Sequence, residues 1–144
     1  VKDFDKNNPK FRWQKKISSN ELIDLFPKIG GLKKIEILEI TSTGRVKNVK
    51  LIGAYGSDQM SGVVLRKRLG LNSNFVRFKF FEEGLNNKFP IKKGLIVFGQ
   101  GSGHGVGMSQ WGAKYLASRG QKAERILKYF YRGVQIKPFR KDYL

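Results

Sequence analysis

Between positions 99 and 113 the sequence reads Gly-Gln-Gly-Ser-Gly-His-Gly-Val-Gly-Met-Ser-Gln-Trp-Gly-Ala. Glycine stands at 99, 101, 103, 105 and 107, and the chain's single histidine stands at 104. In an extended chain a strict period of two puts all five glycines on one face. A face without side chains lets a ligand or another backbone lie directly against it. Gln100, Ser102, His104, Val106 and Met108 then line the opposite face. Ser109 and Gln110 come next, in the first turn of a predicted helix, near free amide donors that can hold a carboxylate or a sugar oxygen. The bland alternatives are tight packing for the glycines and a hydrogen bond to neighbouring backbone for His104.

Several chemistries do not fit. No frame of the run matches Gly-x-Gly-x-x-Gly. Gly107 and Gly112 have the Walker separation, but Ala113 stands where lysine is needed. Nucleotide binding is therefore not indicated. Ser102 and Ser109 flank His104, yet no acidic residue nearby can orient the imidazole for a triad. No carboxylate has zinc-ligand spacing near His104, and the chain has no cysteine, so thiolate metal sites, disulfides and cysteine nucleophiles are excluded. Neither a metal nor a cofactor is implied.

The elements that must position this run can be read by periodicity and caps. Arg12 to Ile17 is a strand anchored by Trp13. Ser18 or Ser19 caps a short helix that ends near Pro27, with Leu22, Ile23, Leu25 and Phe26 as its buried face. Lys33–Thr41 and Val46–Ala54 alternate about the turn Thr43-Gly-Arg45, a hairpin. Ser61 to Gly70 is a capped helix carrying Val64, Leu65 and Leu69. Phe75–Phe81 and Leu95–Gly99 are strands, with a turn over Glu82–Asn87. Met108–Ser118 is a helix with Trp111, Tyr115 and Leu116 on one stripe. Ala123, Ile126, Leu127 and Phe130 mark a second helix, and Val134–Ile136 reads as a last strand. The expected fold is α+β: mostly antiparallel, partly barrel-like strands, with short helices and two C-terminal helices.

A chain of 144 residues suffices for one domain. The expected organisation is a flexible lead-in over 1–10, a single domain over 11–137 and a tail over 138–144. The start, Val-Lys-Asp-Phe-Asp, carries neither initiator methionine nor signal peptide and reads as a cut or processed piece. No stretch is long and apolar enough to span a membrane. The net charge of +18 predicts attraction to a polyanion: nucleic acid, anionic lipid or an acidic wall polymer. Phe75, Phe78, Phe80 and Phe81, set among Arg77 and Lys79, also suit stacking on single-stranded nucleic acid. The same alternation is that of a half-buried strand, and core packing is the better reading.

Gly103-His-Gly-Val-Gly-Met-Ser-Gln-Trp-Gly-Ala113 resembles the C-terminal signature of the stage II sporulation protein D / LytB amidase-enhancer family. Phe11-Arg-Trp13 is similar to the family's aromatic strand, and Ser19-Asn-Glu-Leu22 to the helix after it. Thr43-Gly-Arg-Val46 resembles its hairpin turn. Ser61-Gly62, Leu65-Arg66 and Leu69-Gly-Leu71 resemble the segment before the signature, and Ile126 to Gly133 the closing helix. The likeness covers about residues 11–136.

The resemblance implies work on bacterial peptidoglycan at the cell envelope. Some members are lytic transglycosylases; others enhance a wall amidase. The transglycosylase reaction needs one carboxyl group, first as acid and then as base. The family's glutamate lies in an alanine-rich helical motif, Glu-Ala-Leu-Lys-Ala-Gln-Ala, that this sequence lacks. No catalytic residue is therefore assigned in this chain. The residues expected to bind substrate are His104, Ser109, Gln110, Ser102, Gly103, Gly105 and Gly107. The implied partner is the peptidoglycan glycan strand. The alternative is a non-catalytic amidase-enhancer or wall-binding module, with a cell-wall amidase as partner. A nucleic-acid-binding domain is the third and least favoured reading.

Overall fold

The computed structural model describes residues 11–83, 92–103, 105 and 107–137. The expected lead-in and tail, His104, Val106 and most of the turn expected after Glu82 lie outside the described residues. The chain divides into two compact units, Pro9–Gly105 and Val106–Leu144 together with Val1–Asn8.

The larger unit opens with strand β1 (Arg12–Ile17) and helix α1 (Ser19–Leu25). Ser18 caps α1 through a reciprocal box: its hydroxyl accepts the Glu21 N–H while the Glu21 carboxylate accepts the Ser18 N–H. A 3-10 turn over Pro27–Ile29 leads to β2 (Lys34–Ile40), β3 (Val46–Ile52) and β4 (Ser57–Ser61). Helix α2 (Gly62–Arg68), capped by Ser61, precedes β5 (Val76–Glu83) and β6 (Lys92–Gln100). Gly70, at φ +59°, comes after the end of α2 in the left-handed conformation that glycine adopts without strain.

Two antiparallel three-stranded sheets result, in the orders β1-β6-β5 and β2-β3-β4. The fold is α+β, and among the described residues the strands form open sheets. One apolar cluster joins them. Ile17, Leu95 and Val97 enter it from the first sheet and Val46, Val49 and Leu51 from the second. Leu22 and Phe26 come from the α1 segment, and Leu65 and Leu69 from the α2 segment. Burial of large aliphatic side chains is the main favourable term, about 1.5–3 kcal/mol for each one fully removed from water.

Four local expectations are corrected. Ile23 is exposed rather than buried, and Val64, read at one helical spacing with Leu65 and Leu69, is exposed while those two are buried. Glu82 and Glu83 continue β5 instead of turning. β4 was not anticipated: Ser-Asp-Gln-Met-Ser has no apolar alternation, and it is an edge strand held by its ladder to β3. Val134–Ile136 is irregular, with no strand pairing among the described residues.

The smaller unit contains α3 (Gln110–Ser118) and α4 (Ala123–Phe130). They meet at Gly112, where an added Cβ would lie 2.8 Å from the Phe130 ring. Ile126 is buried here. Trp111, expected on the packed stripe, is 39% exposed, because its neighbour Gly112 takes the buried position.

Candidate functional site: the glycine loop

β6 is the central strand of its sheet, so the loop that leaves it is flanked from both sides. Gly99 still lies in the strand, paired with Trp13 on one side and Val76 on the other. A Cβ at Gly99 would come within 2.0 Å of the Trp13 ring, so the glycine is what lets the indole lie flat on the strand.

The strand then stops. Gly101, Gly103, Gly105 and Gly107 have φ of +67°, +81°, +77° and +88°. The extended glycine face expected from the period of two is therefore corrected. Beyond Gln100 the alternation is one of left-handed turns, which side-chain-bearing residues adopt only at a cost.

The inner side of this loop is tied down residue by residue. Gly101 donates its N–H to Phe11 O at 2.9 Å, and the Trp13 indole N–H donates to Gly101 O at 2.9 Å. Gly103 donates to Asn72 O at 2.8 Å and forms a bridge with Ser73. The buried Ser73 hydroxyl donates to Gln100 O at 2.6 Å. The Arg45 guanidinium donates to Gly103 O at 3.4 Å and to Asn74 Oδ1 at 3.3 Å. Asn74 is itself buried and donates to Val46 O at 3.0 Å. Arg45 also packs on Gly105, where a Cβ would lie 2.1 Å from its Nε.

In the larger unit, Ser102 and Gly105 are exposed and Gly103 is half-buried. Gly107, Ser109 and Gln110 belong to the smaller unit. There the Tyr131 hydroxyl accepts the Met108 N–H at 3.3 Å, beside Gly107. Ser109 is the cap of α3 and not part of its first turn; its Oγ accepts the Gly112 N–H at 3.0 Å. Gln110 opens the helix and is exposed. His104 lies outside the described residues.

Five of the six described glutamates are engaged elsewhere. Glu21 and Glu83 are held below the usual carboxylate range chiefly by the backbone N–H groups of Ser18 and Ser19. Glu36, Glu39 and Glu124 are lowered first by hydrogen bonds from Lys34, Lys47 and Lys128. Among the described residues no group of three or more His, Cys, Asp or Glu side chains could hold a metal ion.

The chain matches no protein-family profile. It is 31% identical over 134 residues to stage II sporulation protein D of Bacillus subtilis, covering 92% of this chain and 35% of that protein. It is 48% identical over 40 residues to the amidase enhancer of Bacillus subtilis, 28% of this chain and 6% of that one. An uncharacterized protein of Brachyspira hyodysenteriae is 53% identical over 51 residues, 33% of this chain and 14% of its own. The chain belongs to the stage II sporulation protein D / LytB family. It spans about a third of the length of the sporulation protein.

Two of the family-like segments hold the loop, and a third ends one residue before a group that does. Phe11 and Trp13 grip Gly101, Arg45 of the hairpin turn grips Gly103, and Asn72, just beyond the Leu69–Leu71 segment, accepts its N–H. Sequence reading missed Arg45, Ser73 and Asn74 as site residues. The polar triplet Asn72-Ser-Asn74 before an aromatic strand was the available signal.

Proposed function

We propose that this chain is the glycan-facing portion of a peptidoglycan-processing protein related to the lytic transglycosylases, and that it does not carry the catalytic acid. The observation that carries this reading is the loop. A run of left-handed glycines is fastened on its inner side by Trp13, Asn72 and Arg45, which leaves a bare backbone edge for a polar chain such as a sugar strand. Such preorganisation lowers the ordering cost of binding. Ser102, Gly103 and Gly105, all of the larger unit, are the described residues assigned to that edge, with His104 the side chain assigned to substrate; Gly107 and Gln110, of the smaller unit, are assigned to substrate in their own right. Ser109 acts by fixing the start of α3 next to Gln110.

The chemistry supports a supporting role and not the proton transfer itself. A general acid must be protonated at working pH, which needs a raised carboxyl pKa. The five described glutamates with shifted values all move the other way. A carboxyl group from outside this chain would supply the acid.

The test is an NMR titration of the chain with a muramyl-containing tetrasaccharide. Resonances of Gly101–Gly107 and Gln110 should shift, and His104→Ala should weaken binding about tenfold, the worth of one hydrogen bond, with an unchanged fold. Unaltered affinity in that variant would overturn the assignment of His104. The identity to the amidase enhancer favours a second reading, a non-catalytic partner of a wall amidase. A zymogram of the full-length protein separates the two: cleared bands that vanish when its family-type glutamate is replaced mark the enzyme.

A further inference from the structure

We propose that the outer face of the β1-β6-β5 sheet is a docking surface for a linear polyphosphodiester of the cell wall. The strand registers define this face. Arg12, Gln14 and Lys16 of β1 flank Gln100, Phe98 and Ile96 of β6, and Arg77 and Lys79 of β5 lie opposite Phe98 and Ile96. Arg12, Gln14, Lys16, Arg77, Lys79 and Phe98 are all exposed. Adjacent strands lie about 4.8 Å apart and alternate residues about 6.8 Å. Lys16 and Lys79 therefore stand about 10 Å apart across the sheet, with Arg77 about 7 Å from Lys79. That is a grid of charges suited to an extended chain carrying one anion per repeat.

No ion pair between described residues involves Arg12, Lys16, Arg77 or Lys79. Among the described residues neither Arg77 nor Lys79 has a carboxylate within ion-pair distance. The ion pairs between described residues join Lys34 to Glu36, Lys47 to Glu39 and Lys128 to Glu124, all elsewhere. Arg12 lies over the Phe11 ring and Lys16 over the Phe81 ring. The carboxylate at the far end of β5, Glu83, accepts the Ser19 N–H and feels Lys16.

The aromatic content decides between two polyphosphodiesters. Single-stranded nucleic acid binds on successive exposed rings. Here Phe78 and Phe80 pack against the core. Phe81 lies over Gly94 and under Lys16. Phe98, at 41%, is the ring left open on β6. One open platform with four cations fits a polymer whose repeats carry phosphate but no base. The choice of a wall polymer rests on the function proposed above, which puts the chain at the cell wall.

The experiment is fluorescence anisotropy of labelled poly(glycerol phosphate) with the full chain. Affinity should fall about tenfold or more between roughly 50 and 200 mM salt, as ions released by phosphate contacts are replaced. The pair Arg77→Glu/Lys79→Glu should weaken binding at least tenfold, with melting unchanged because both side chains are exposed. Lys34→Glu/Lys47→Glu on the other sheet makes the same change in net charge and should leave binding within twofold. Phe98→Ala should also stay within twofold. Equal losses in the two charge-reversed pairs would reduce the effect to net charge and overturn the proposal. Tighter binding of an oligothymidylate, together with a tenfold loss in Phe98→Ala, would overturn it in favour of nucleic acid. Neither pair touches the glycine loop, so tetrasaccharide binding reports separately on that site.

Discussion

The two sheets of the larger unit share a plan and differ in what they present. Each has three antiparallel strands with the inner face in one apolar cluster. On the β2-β3-β4 sheet the outward charges are mixed: Glu36 pairs with Lys34, and Glu39 with Lys47. Its edge strand β2 has a register break around Leu38 and exposes Ile37, Leu38 and Ile40. On the β1-β6-β5 sheet the outward charges are cations except for Glu83 at the far end of β5, and the central strand runs on into the glycine loop. The difference teaches that the site depends on where a loop departs from its sheet. A loop leaving a central strand has a neighbour on either side to hold it, here Trp13 from β1 and Asn72–Ser73 from the segment before β5. The other sheet contributes through a turn, where Arg45 reaches the loop from the β2–β3 hairpin.

If the inner faces are equivalent, cutting either should cost the same. Leu95 of β6 and Leu51 of β3 are both 0% exposed. Leu95→Ala and Leu51→Ala should each lose about 2–5 kcal/mol in urea denaturation, through lost burial and a residual cavity. Losses differing by more than about 2 kcal/mol would mean that one sheet, not the shared cluster, dominates stability.

A finer test lies within the loop. Gly101 and Gly105 have nearly the same φ, but a Cβ at Gly101 meets open space while one at Gly105 meets Arg45. Gly101→Ala should cost about 1–2 kcal/mol, the strain of a left-handed alanine. Gly105→Ala adds displacement of the guanidinium and its bond to Gly103, for about 2–4 kcal/mol in total. Equal melting points for the two variants would show that Arg45 yields without loss.

Legibility in the sequence was a matter of range. Caps and alternation are local, so β1, the hairpin, Ser61 at the head of α2 and both C-terminal helices were legible. β4 was not, because its residues carry no pattern and only pairing with β3 makes them a strand. The conformation of the loop was not, because period-two glycine is compatible with either sign of φ. Arg45 was hidden by distance: it acts on Gly103 from 58 positions away and on Asn74 from 29. The motif singled out this stretch of chain, and only the fold says what holds it.

The smallest effect expected concerns the kind of partner a carboxylate has in each sheet. Glu83 of β5 accepts a neutral backbone N–H, that of Ser19, at 2.9 Å; Glu39 of β2 faces the charged Lys47 first and also accepts the Asn48 amide N–H at 2.8 Å. Both carboxyls are held below their ordinary range. A lowered folded-state pKa gives stability that is present above the unfolded value and lost as pH falls through the folded one. Melting temperature should therefore decline on acidification from about pH 6 to about pH 3. Glu83→Gln and Glu39→Gln should each flatten the decline, since neither amide titrates. Salt separates them. An exposed ion pair is screened at about 0.5 M salt, and a bond to a neutral amide is not. In high salt the Glu39→Gln curve should close most of its gap to that of the unaltered chain, the Asn48 bond to Glu39 accounting for the rest, while the Glu83→Gln curve stays as flat as before. Closing of both gaps would make the Glu83 contribution one of Lys16 and the surrounding cations, and would extend the electrostatic character of the first sheet's outer face to its far end.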